Sequence, residues 1–131
     1  MISAIYASLC ALLIAWLALK VITQRRKSKI NVGDGGNEEL QYLIGAHANA
    51  AQYIPIALIL LFALEYNGAG KWLIHILGIA LVAGRILHAR GMLTKDFGPR
   101  VLGTQITIYT LFGLVAANLV FVPYQAMFTP W

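Results

Sequence analysis

The sequence predicts an all-α membrane protein, a bundle of four transmembrane helices forming one domain over residues 1–131. Three observations carry this. Hydrophobic residues make up 60% of the chain and charged residues 11%, whereas soluble proteins carry roughly 25% charged residues. Apolar runs near the ~20 residues that a helix needs to span a bilayer recur four times. The basic residues fall between these runs rather than on a polar face, so the net charge of +5 reads as a topology signal and not as a nucleic-acid surface.

The first span covers about 1–22. Met1 to Leu19 contains no charged side chain, and Lys20 and then Arg25, Arg26, Lys27 and Lys29 follow it. A secretory signal peptide has its positive charge before the apolar stretch, so the reversed order points to a span that is retained. The second span covers about 42–65, the third 72–91 with Arg85 inside it, and the fourth 101–122, with Pro123 marking its end. Breaks at Asn67, Gly68, Ala69, Gly70 and at Phe97, Gly98, Pro99 separate the last three. The stretch Gly33, Asp34, Gly35, Gly36, Asn37 has neither a preceding strand nor a phosphate-binding lysine and reads as a turn. A single cysteine, Cys10, excludes an intrachain disulfide and reads as helix packing.

Orientation follows from Lys and Arg. Arg25, Arg26, Lys27, Lys29, Arg90, Lys95 and Arg100 give seven in and around loops one and three, against Lys71 alone in loop two. The expected arrangement is loops one and three in the cytoplasm and both termini outside. Tyr66, Trp72, Tyr124 and Trp131 would then sit at the outer interface, where amphipathic rings are favoured.

Polar side chains inside a span must face protein or water. In span two, Gly45, Asn49, Gln52 and Ile56 share a helical stripe, with Tyr53 beside it and His47 turned away. In span three, Arg85 and His88 stand one turn apart near the same end. The two stripes converge at one membrane depth. They point to a binding site, with interhelix hydrogen bonding and a snorkelling arginine as the alternative account. Glu65 and His75 lie near the outer helix ends, where interface solvation satisfies them, while Gln105 and Asn118 in span four are expected to contact neighbouring helices. No Ser, His and carboxylate arrangement and no metal-ligand spacing is present, and these patterns argue against hydrolytic and metal chemistry.

Four motifs resemble the family of membrane-associated proteins in eicosanoid and glutathione metabolism (MAPEG), in its bacterial branch. They are Val21, Ile22 then Arg25, Arg26; the GDGGN stretch from Gly33; AHANAAQYIP from Ala46 to Pro55; and GRILHARG from Gly84 to Gly91. Pro99, Arg100 adds a fifth, shorter match. The resemblance implies a homotrimer with glutathione as co-substrate, bound between subunits near the cytoplasmic side, and a hydrophobic small-molecule substrate arriving from the membrane lipids. Microsomal glutathione transferases belong to that family. Carried over, Arg26, Asn49, Gln52, Tyr53, Arg85 and His88 would bind glutathione, with Arg100 and Arg26 as the catalytic candidates that stabilise its thiolate. A thiol is a poor nucleophile until it loses its proton, and a guanidinium, which stays charged in a partly dry site, favours that loss.

The sequence also departs from the family pattern. Gly45 stands where many members have an arginine, Gln52 where a glutamate is usual, and Met92 where a tyrosine is frequent. The leading expectation is a glutathione transferase or peroxidase acting on hydrophobic electrophiles. The alternative is a non-catalytic member that binds a lipid or partner in the intersubunit groove. A small four-span exporter ranks third, because no carboxylate lies in the middle of a span.

Overall fold

The computed structural model describes residues 1–129. The helices are α1 (Ser3–Ser28), α2 (Glu38–Tyr66), α3 (Lys71–Leu93), α4 (Phe97–Phe121) and a short α5 (Tyr124–Phe128). The first four are long and apolar enough to cross a membrane. Trp131, expected at the outer interface, lies outside the described residues.

Helices outlast the apolar runs that announced them. α1 continues through Arg25, Arg26 and Lys27 to Ser28, and α2 starts at Glu38, since Arg, Lys, Gln and Glu are good helix formers once the chain leaves the apolar layer. Charge placement supports both ends: the basic run occupies the last turn of α1, and Glu38 and Glu39 occupy the first turn of α2, each complementing the helix dipole. The glycine-rich stretch between them is a turn. Gly33, Gly35 and Gly36 have positive φ, the Asp34 carboxylate accepts from the Gly36 N–H at 2.9 Å, and the Asn37 side chain caps α2 by accepting from the Leu40 N–H at 2.8 Å.

Packing is antiparallel between successive helices, and α3 with α4 is the most intimate pair. A Cβ placed on Gly103 would overlap the backbone nitrogen of His88, and one on Gly91 would overlap that of Arg100. Gly84 faces Thr107 and the Gly103 carbonyl in the same way. Small residues let two backbones approach inside a membrane, where dispersion contacts rather than the hydrophobic effect hold helices together. The buried face of α2 runs through Leu43, Ala46, Ala50, Ile54, Ala57, Leu61 and Leu64 at three- and four-residue steps. It meets Tyr6, Cys10 and Leu17 of α1, Ile74 and Leu81 of α3, and Leu114 of α4 in one core. The outward faces carry Leu12, Ile59, Ile79 and Phe112 largely uncovered, as a lipid-facing bundle requires.

Candidate functional site

At the level of Asn49, one charged side chain has been drawn into the middle of this bundle. Arg85 is 1% exposed. Its Nη2 donates to the Asn49 side-chain oxygen at 2.7 Å, and its guanidinium carbon sits 5.6 Å from the centre of the Tyr53 ring. Three of the residues expected to bind glutathione are therefore in mutual contact across α2 and α3. The snorkelling alternative for Arg85 is excluded by this placement, because the side chain points into protein rather than out along the helix toward water. His88 follows one turn later and is also buried.

This constellation is incompletely paired. The Nε and Nη1 of Arg85 and the Nδ1 of His88 are buried and find no hydrogen-bond partner among the described residues. Both salt bridges among those residues belong to Lys95, which reaches Glu38 and Glu39 at 3.6 Å at the end of the bundle. Arg85 thus has an amide and an aromatic face for company, with no carboxylate. An unpaired charge in a low-dielectric interior is costly, and an anion with acceptor oxygens would relieve that cost.

The other candidates stand apart within one subunit. Gln52 is exposed on the outer face of α2, since one helical step of three residues carries it away from Asn49 and past the edge of the buried face. Arg26 is exposed and lines a recess with Ile22, Arg25, Lys29 and Asn31. Arg100, in the first turn of α4, is exposed beside Tyr42, Gly91 and Asp96. The Asp96 side chain caps that helix by accepting from the Gly98 N–H at 3.1 Å.

Gly45 lies against the end of the Met92 side chain. A Cβ there would come within 2.9 Å of the Met92 methyl carbon, so the methionine of α3 is seated against the bare backbone of α2. The two departures from the family pattern at Gly45 and Met92 are one packing solution.

The MAPEG family model matches residues 3–120. This chain belongs to the MAPEG family. It is also similar to the inner membrane protein YecN of Escherichia coli strain K12, at 42% identity over 129 residues covering 98% of each chain. The YecN protein of Escherichia coli O6:H1 matches to the same extent. Within this MAPEG protein, the motif AHANAAQYIP supplies Asn49 and Tyr53, and GRILHARG supplies Arg85 and His88, so the two most distinctive motifs of the resemblance meet at the buried guanidinium.

A second polar network lies at the opposite end of the bundle, and the sequence reading missed it. The Tyr6 hydroxyl and His75 Nδ1 share a hydrogen bond of 2.6 Å, and the Tyr6 ring covers Gly78 so closely that a Cβ there would clash with it. Both Glu65 oxygens accept from backbone N–H groups at the start of α1, Ile2 at 2.5 Å and Ser3 at 2.8 Å. Glu65 and His75 are therefore satisfied by protein, not by interface water as expected. Their partners are far away in sequence, and only Tyr6, polar-tipped in an apolar run, hinted at one. Asn118 meets the interhelix expectation by donating to the Leu60 carbonyl at 2.9 Å, while Gln105 lies exposed on the outer face of α4.

Proposed function

We propose that this protein is an inner-membrane glutathione transferase or glutathione-dependent peroxidase that acts as a homotrimer on hydrophobic electrophiles or lipid hydroperoxides. The observation that carries the reading is Arg85: a buried guanidinium with two spare donor nitrogens, flanked by His88 with a spare ring nitrogen and matched by no carboxylate. A glutathione carboxylate has the charge and acceptor geometry that this group needs. Membership of the MAPEG family supports the same reading, and the inner-membrane name of its Escherichia coli relatives supports the location alone.

In this reading, residues exposed on one subunit, Gln52, Arg26 and Arg100, meet glutathione at the seam between neighbours. The thiol gives up its proton, its sulfur bonds to the electrophilic carbon, and the displaced group leaves with the bonding electron pair. With a hydroperoxide, two glutathione thiols instead reduce the peroxide to alcohol and water and end as a disulfide. Loops α1–α2 and α3–α4 face the cytoplasm, where glutathione is plentiful. Calorimetric titration of the detergent-purified protein with glutathione should give saturable binding that Arg85→Met removes. No binding in a trimeric, folded preparation refutes the proposal.

One observation favours the non-catalytic alternative. The Met92 methyl lies 2.9 Å from where a Cβ on Gly45 would stand, and Gly45 is the position at which the family pattern has an arginine, so apolar contact replaces charge there. A groove remodelled in that direction suits a lipid or a partner. Saturable glutathione binding without conjugation or peroxide reduction over a panel of electrophiles would select this reading.

A further inference from the structure

Along α1, Leu13, Trp16, Lys20, Thr23 and Lys27 recur at three- and four-residue steps and share one face. That face looks onto two adjoining recesses. One, of 480 Å³, is lined by Trp16, Lys20, Thr23 and Lys27 with Leu43 and Leu93 from α2 and α3. The other, of 250 Å³, is lined by Leu13, Trp16, Ile86, Ala89 and Leu93 together with Arg90 and Thr94. Trp16 and Leu93 wall both, so the two form one groove with a basic end and an apolar end.

We infer that this groove is a binding site for an anionic phospholipid, whose phosphate lies between Lys20 and Lys27 and whose acyl chain follows Leu13, Ile86 and Ala89. Charge supports this occupant. The Lys20 ammonium is held 5.3 Å from the centre of the ring of Trp16, which walls both recesses. Glu39, the acid in the lining, lies 3.6 Å from Lys95, which it shares with Glu38, and Lys20 and Lys27 outnumber it in the recess. Length supports it as well. From Leu13 to Lys27 the helix rises about 21 Å, close to half of the ~40–45 Å that a bilayer measures with its headgroups. A free phosphate would use the basic end and leave the apolar trough without a role. Neither lysine belongs to the proposed glutathione site, so the groove stands independently of that reading.

The tryptophan inside the groove provides the readout. A protein with Trp72→Phe and Trp131→Phe keeps Trp16 as its one emitter and can be reconstituted in phosphatidylcholine containing acyl-brominated phosphatidylglycerol or, at equal mole fraction, acyl-brominated phosphatidylcholine. The anionic lipid should quench Trp16 with an apparent preference of about three- to tenfold, falling as salt rises. Lys20→Gln with Lys27→Gln should bring the ratio to one, while Arg26→Gln with Lys29→Gln, which removes the same charge from the same end, should leave it unchanged. Equal quenching by the two lipids in the parent overturns the site. So does a preference that survives Lys20→Gln with Lys27→Gln, or that both double variants lose alike, since the attraction would then be diffuse. Quenching by neither lipid also overturns it, because another protein surface then covers Trp16.

Discussion

The side-chain oxygen of Asn49 accepts a hydrogen bond of 2.7 Å from Arg85 Nη2, joining α2 to α3 at the one place where a full charge is buried between them. This makes Asn49 a positioning residue for Arg85 before any ligand arrives. Asn49→Ala should lose the bond and leave a third guanidinium nitrogen unpaired, costing about 1.5–3 kcal/mol of stability, readable by denaturing-detergent titration. Asn49→Asp separates structure from function. Its carboxylate pairs the guanidinium and should hold stability near the parent, yet neutralise the charge that draws an anion, so glutathione affinity should fall at least tenfold. An Asn49→Asp protein that binds glutathione as the parent does would show that Arg85 is not the anion's partner.

The α3–α4 seam should tolerate almost no added volume. At Gly103 a methyl group would run into the His88 backbone, and that backbone cannot rotate away. Gly103→Ala is therefore expected to destabilise the fold by about 1–3 kcal/mol through overpacking. Gly45→Ala meets only the flexible end of Met92 and should cost much less. Melting of both variants in the same detergent tests the ranking, and equal losses would mean that the two contacts are alike.

At the other end of the bundle, Tyr6→Phe removes one hydrogen bond while keeping the ring over Gly78. The expected loss is about 0.6–1 kcal/mol, the usual size for a single interhelix bond in a membrane protein. Glu65→Gln weakens two backbone contacts at the start of α1, so hydrogen exchange at Ile2 and Ser3 should quicken while amides around Asn49 remain as slow as before. Glutathione binding should survive both changes, because this network lies at the far end of the helices from Arg85.

The four spans were legible because lipid imposes one rule, apolar length, that the sequence states openly. The depth of the Asn49, Tyr53 and Arg85 contact was legible too, since any polar group in a span has to face inward. Its azimuth was legible only in part. Asn49 and Gln52 are about 60° apart on a helical wheel, close enough to share a stripe on paper, yet the edge of the buried face falls between them and leaves Gln52 exposed. The pairings of Tyr6 with His75 and of Glu65 with the start of α1 were not legible, because they link positions more than 60 residues apart. The glycine seam was hidden for a different reason. In an apolar run, Gly84, Gly91 and Gly103 look like neutral filler until the opposing backbone is in view.

In the proposed site, either Arg100 or Arg26 would face the sulfur of glutathione. Arg100 lies in the first turn of α4, where its backbone packs on Gly91, so it is tied to the same helix that carries Arg85 and His88. Arg26 lies on the last turn of α1 in a separate recess, and within one subunit the two line no common cavity. If the homotrimer brings a neighbour's Arg26 to the site, both are candidates, and their charges alone do not distinguish them. Their attachments do. Both side chains are exposed, but the Arg100 backbone packs on Gly91 of the helix that carries Arg85 and His88, whereas Arg26 lies on the last turn of α1, so Arg100 is the better placed donor for a developing thiolate. The thiolate absorbance of bound glutathione against pH, in the parent and in Arg100→Ala and Arg26→Ala, decides between them. Arg100→Ala should raise the bound thiol's pKa by about one to two units, each worth about 1.4 kcal/mol, and slow conjugation at neutral pH by roughly ten- to a hundredfold. Arg26→Ala should chiefly weaken binding. The reverse pattern assigns the thiolate to Arg26, and a parent that binds glutathione yet shows no thiolate band at any accessible pH removes the transferase reading altogether.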